Sequence, residues 1–211
     1  MKSMISALVL SLLTTCTSAT SLELLSSRTL KSIGIPGLDS KCPVNGTLSG
    51  EYLNPTLIVP VSKKAPNVAF GSTKVPIITP GDFCTIFNLM IPPTAVGKTC
   101  TLEFLFPEML TSTAPYVYSG GGHFTFTGYA FGTGATEETT FNKQPPPGPS
   151  PPQPPAVLSP GNAYTINIGG CAIEKGMAGM EVSGMLCSTD TALAFLQSDQ
   201  KCPMGFFVAI S

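Results

Sequence analysis

Tryptophan is absent, and histidine and arginine occur once each, as His123 and Arg28. Only 11% of the 211 residues are charged, where soluble domains carry roughly 25%. Eleven Lys and Arg against twelve Asp and Glu leave a net charge of -1. Such a surface cannot neutralise many phosphates, so a nucleic-acid partner is excluded. A single histidine excludes a metal centre built from several imidazoles, and no C-x2-C pair offers a zinc site. No other cofactor is expected. Long apolar runs are missing as well. Ile5 to Leu13, with Ser6 and Ser11 inside it, is about half the ~20 residues that cross a bilayer. No transmembrane segment is expected.

Catalytic signatures are equally scarce. No G-x-S-x-G elbow occurs. Ser119-Gly120-Gly121-Gly122 before His123 slightly resembles an oxyanion loop, but the order is reversed and no later histidine exists. It reads better as a glycine hinge entering a strand with His123 on its polar face. Those glycines also lack the G-K-[ST] ending of a phosphate cradle. Glu137-Glu138 has no calcium-loop pattern around it. An enzyme would have to rest on Glu103 and Glu181, a carboxylate pair that a glycosidase needs about 5–9.5 Å apart.

What the chain does contain is an export signal. Lys2, the apolar stretch from Ile5 to Leu13 and the ending Thr17-Ser18-Ala19 make residues 1–19 a secretory signal peptide. Cys16 fits a bacterial lipoprotein signal poorly, because threonine precedes it. The remaining cysteines are Cys42, Cys84, Cys100, Cys171, Cys187 and Cys202. An even number in an exported chain predicts three disulfides, with 15 connectivities open. Cys187 and Cys202 bracket a loop of about 15 residues whose closure is worth ~3 kcal/mol, so that pair is expected. Cys171 would then pair across the proline run described below. Asn45-Gly46-Thr47 is a glycosylation sequon, whereas Asn54-Pro55-Thr56 is blocked by its proline. The location expected is secreted, extracellular or cell-wall associated.

Residues 20–50 form an arm, in which Gly34, Pro36 and Gly37 stop any extended helix. Residues 51–211 read as a single β domain. Strands are predicted over Thr56–Val61, as an edge or bulged strand because of Pro60, and over Val75–Ile78, Phe83–Ile91 and Cys100–Phe106. Further strands are predicted at His123–Phe131, around Tyr164, Ile166 and Ile168, around Met180, Val182 and Leu186, and at Phe206–Ile210. The last is apolar on both faces and is expected at a sheet centre. A short helix is predicted over Asp190–Gln197, capped by Thr189 or Asp190. Pro145–Pro155 cannot donate to a sheet ladder and is expected as an exposed polyproline insertion. The fold class is therefore all-β, a β-sandwich or jelly-roll-like body stabilised by disulfides, with one short helix.

Leu57-Ile58-Val59-Pro60-Val61, Ala69-Phe70-Gly71, Thr85, Phe87, Ile91-Pro92 and the run Cys100 to Pro107 carry a family likeness. The chain resembles the fungal But-type carboxy-terminal domain, named from fission-yeast proteins described as binders of a ubiquitin-like modifier. The resemblance covers residues 55–211. It implies a fungal, exported or surface-associated β domain, linked in some members to host contact, and it brings no catalytic residues. The export signal and disulfides sit badly with a ubiquitin-like partner, so that partner is not carried over. The function expected is a non-enzymatic surface or apoplastic protein that binds a cell-wall polysaccharide or a host protein, acting as a monomer. Tyr116, Tyr118 and Tyr129, beside the glycine loop, and His123 are the candidate contact residues. The alternatives are a glycan-active hydrolase using paired carboxylates and a structural wall protein.

Overall fold

Alternation of apolar and polar residues decides the architecture, and the computed structural model contains eleven strands among its described residues. These are Leu48 and residues 50–110, 112–148 and 154–211. The strands are β1 (Glu51–Leu53), β2 (Leu57–Ser62), β3 (Ile77–Ile78), β4 (Phe83–Ile91), β5 (Thr99–Phe106) and β6 (Tyr116–Ser119). They continue with β7 (Phe124–Gly128), β8 (Asn162–Gly170), β9 (Met180–Ser188), β10 (Ala192–Phe195) and β11 (Gly205–Ile210). One four-stranded sheet has the order β1-β11-β5-β8, and a second has the order β2-β4-β9-β7. A three-stranded sheet, β3-β10-β6, completes the body. All the strand pairings between these elements are antiparallel.

The two larger sheets pack face to face. Phe87 of β4 and Leu186 of β9 meet Phe104 of β5 and Phe206 of β11 in the main core. Leu89 and Ile91 meet Val208 and Ile210 farther along. The small sheet contributes Ile78, Leu193, Phe195 and Tyr116 to the same main core. Each such side chain contributes roughly 1.5–3 kcal/mol when fully buried. The second sheet is apolar on its other face too. Val59, Val61, Ile86 and Met185 lie under Tyr129 and Ala135, from the segment that follows β7. Pro60 lies on β2, which takes the edge position of the two that its proline allowed, and β11 lies inside its sheet.

Several expectations are corrected. Asp190–Gln197 is not a helix. Leu193 and Phe195 are buried while Ala192 and Ala194 are less so, the period of a strand, and β10 bonds to both β3 and β6. The helical turn in the described residues is a 3-10 turn at Pro93–Ala95, which carries the chain from β4 in one sheet to β5 in the other. Cys187 does not bond to Cys202. The bridges are Cys84–Cys187, joining neighbouring strands β4 and β9, and Cys100–Cys171, joining β5 to the residue after β8. Cys202 is disulfide-bonded too. Strand neighbourhood decides the pairing, and loop length does not. The start of the proline run is also less free than expected. Proline cannot donate, but the Pro146 carbonyl accepts from the Ala130 N–H at 2.9 Å, and the Gly148 N–H donates to Gly128 at 2.9 Å.

Candidate binding crevice

Between the two larger sheets, on the side where β7 and β8 form their edges, lies a cavity of about 210 Å³. One wall is Phe87, Leu89 and Ile91 of β4 with Val182 of β9. The other is Leu102 of β5 with Phe206 and Val208 of β11. Phe126 and Phe131 stand on the β7 side, and the Cys100–Cys171 bridge lies at one end. No side chain lining the cavity carries a charge. The crevice is an apolar slot with an open mouth.

Two local features shape that mouth. The register of β5 and β8 shifts between Leu102 and Glu103: Glu103 pairs with Thr165, Leu102 pairs with Asn167, and Ile166 is left over. An extra residue in one strand inverts the in-and-out alternation beyond it. Ile166 therefore stays in the core, Asn167 turns to the crevice, and Ile168 is left 66% exposed. The second feature is missing side chains. A methyl group placed at Gly169 or Gly170 would meet no atom within 4 Å. Deeper in, a side chain at Gly184 would collide with the Phe126 ring, so glycine there lets that ring form part of the wall.

Of the tyrosines expected as contact residues, Tyr129 lines the crevice, and Tyr116 and Tyr118 do not. Tyr116 is buried, and its hydroxyl donates to the Pro107 carbonyl at 3.1 Å. Burial, with the Glu108 charge second, pushes its phenol up to about 12. Tyr129 is buried with its hydroxyl on Gln144 Oε1 at 2.7 Å, and burial raises its phenol as well. Tyr118 is half-buried and donates to the Leu158 carbonyl at 3.1 Å. Burial first, then Tyr164 and Asp190, raise its phenol. These rings are large apolar bodies with a single polar tip, and the protein uses Tyr116 and Tyr129 as core.

His123 is at the surface, with Nδ1 2.6 Å from Asp190 Oδ2. Asp190 also accepts from Thr191 Oγ1 at 2.6 Å, and Ser188 Oγ donates to the His123 carbonyl at 2.6 Å. This network ties the entrance of β7 to the β9–β10 connection. The bonds from Thr191 and His123, in that order, hold the Asp190 carboxyl down at about 2. Thr191 Oγ1 accepts the Gly122 N–H at 2.7 Å.

Glu103 and Glu181 do not converge. Their neighbours Leu102 and Val182 face the slot, so alternation points both carboxylates away from it, on the outer sides of opposite sheets. Glu103 is half-buried, and burial raises its carboxyl. Glu181 accepts from Asn88 Nδ2 at 2.9 Å. Among the described residues no group of three His, Cys, Asp or Glu could hold a metal ion. None of their helices is long and apolar enough to cross a membrane. Cys42, the Asn45 sequon and the signal sequence lie outside the described residues.

Sequence reasoning passed over Asn88 and Asn167. Asn88 had a signal, since it is a polar residue among Ile86, Phe87, Leu89 and Ile91. Asn167 had none, because the shift that aims it depends on pairing with a strand some 60 residues away. Comparison with known proteins adds one match. The family model of the Ubiquitin 3 binding protein But2 C-terminal domain matches residues 53–201. No curated protein matches the chain significantly.

Proposed function

Because the chain belongs to the But2 C-terminal domain family, a fungal family of non-catalytic binding domains, we propose that it is an exported contact module. It binds a cell-wall or host component, and its contact site is the crevice between β7 and β8. The observation that carries this reading is the uncharged apolar slot, which stays open to solvent with Phe131 exposed beside it. Apolar surface kept accessible in this way is characteristic of binding sites. Export rests on the leader-like first 19 residues and on the disulfides, which persist in oxidising compartments. The ubiquitin-like partner in the family's name is not transferred, since such a partner meets its binders in the reducing cytosol.

Phe131 supplies the test. It is 63% exposed at the slot and carries little of the core. Purified protein should sediment with wall material or coat host surfaces, and Phe131→Asp should abolish that retention without lowering the melting temperature. Retention equal in both proteins, or absent from both, would overturn the reading.

A further inference from the structure

We infer that the crevice holds the aliphatic end of a neutral amphiphile, a single alkyl chain with an uncharged hydroxyl, ester or amide head. This deepens the proposed contact role and rests on it for the site. Four observations select that class. Leu89, Leu102, Val182 and Val208 line the slot and no charged side chain does, so an ionised head at its mouth would give up part of its hydration with no opposite charge to pair it. The wall from Phe87 to Ile91 spans about 13 Å at the rise of a strand. A volume of about 210 Å³ drawn out over that length is a narrow slot, suited to one extended chain and not to fused rings. For scale, a compact apolar cavity of about 150 Å³ accepts benzene.

The third observation is at Gly169. Its backbone is in ordinary strand conformation and a side chain would meet nothing, so neither a turn nor crowding demands glycine. Glycine weakens a strand interior. Its effect here is to leave the slot open. The fourth is Asn167, which the β8 irregularity turns to the mouth, exposed and with no partner for its amide among the described residues. An amide offers both donor and acceptor, which is what an uncharged head requires.

The test is titration of the purified chain with 1-alkanols of increasing length, followed by amide and methyl NMR shifts. Affinity should rise about fourfold per methylene until the slot is full. Alkanoates of matched length should bind at least tenfold more weakly. Gly169→Phe, which fills the slot, should abolish binding, and Ile168→Ser, on the outward side, should leave it unchanged. Flat dependence on length, equal binding of alkanoates, no alkanol binding, or full binding by Gly169→Phe would overturn the proposal. A peptide strand adding to the β8 edge would produce the first or third of these. Should Gly169→Phe not fold, a spin-labelled decanol must broaden the Val182 and Val208 methyl signals of the unaltered chain, and broadening elsewhere overturns it equally. Retention on wall or host material without alkanol binding sinks the ligand class alone. Alkanol binding without retention sinks the contact role alone.

Discussion

Asn88 is buried in β4, where its side chain makes three hydrogen bonds to groups outside its own strand. Nδ2 donates to the Ala135 carbonyl at 2.8 Å and to Glu181, and Oδ1 accepts the Ala135 N–H at 3.0 Å. The residue thereby fastens the segment after β7 onto the outer face of the second sheet. Asn88→Ala leaves the Ala135 peptide buried without partners, a cost of about 1–3 kcal/mol. Urea unfolding should register that loss, and a change below about 0.5 kcal/mol would mean water replaces the amide. At Asp190 the prediction concerns pH. Its folded carboxyl titrates near 2, below the ordinary 3.8. A depressed carboxylate stabilises fully above its unfolded value and loses that contribution as pH falls through its folded value. Stability measured from pH 5 to pH 2 should therefore drop more steeply in the natural protein than in Asp190→Asn. At Glu103 the sign is opposite, since burial raises that carboxyl. Glu103→Gln should stabilise at pH 7, and the gain should vanish once Glu103 itself is protonated. Sequence alone made these acids visible as residue types. It could not separate a tied carboxylate from a half-buried one.

Among the elements, legibility followed the range of the interactions involved. Phe83–Ile91 was readable from its alternation, and Phe206–Ile210 because composition marks a strand that is apolar on both faces. β10 was not, since Ala192-Leu193-Ala194-Phe195 suits a short helix until β3 and β6 stand beside it. The β8 shift likewise exists only against β5. Tyr116 and Tyr129 look like a surface platform in a list of residues, and only packing shows them filling the interior. The proline run marks the middle case: its inability to donate was legible, and its acceptance from β7's neighbour was not. That docking has a specific weak point. A side chain at Gly148 would sit 2.6 Å from the Tyr129 carbonyl oxygen. Gly148→Ala should cost about 1–3 kcal/mol through overpacking. Hydrogen exchange at Ala130 and Gly148 should quicken well before the rest of the sheet, and unchanged protection there would show that the segment has room to shift.

At the scale of the molecule, the two described bridges hold different sheets. Cys84–Cys187 lies within the second sheet and Cys100–Cys171 within the first, so neither fastens one sheet to the other. Their loops span 103 and 71 residues. Loop-closure entropy makes these nearly equal, about 4.7 and 4.4 kcal/mol, while measured losses usually fall between about 2 and 5. The surroundings differ. Cys84 and Cys187 sit under the covered outer face, whereas the Cys100–Cys171 bridge lies at the end of the crevice. Replacing either pair with alanine should therefore lower stability by similar amounts if restraint of the unfolded chain dominates. Only loss of the Cys100–Cys171 bridge should also slacken the slot and change NMR shifts along Val182 and Val208. A much larger penalty for the Cys84–Cys187 pair would instead assign the stabilisation to packing of the buried cystine.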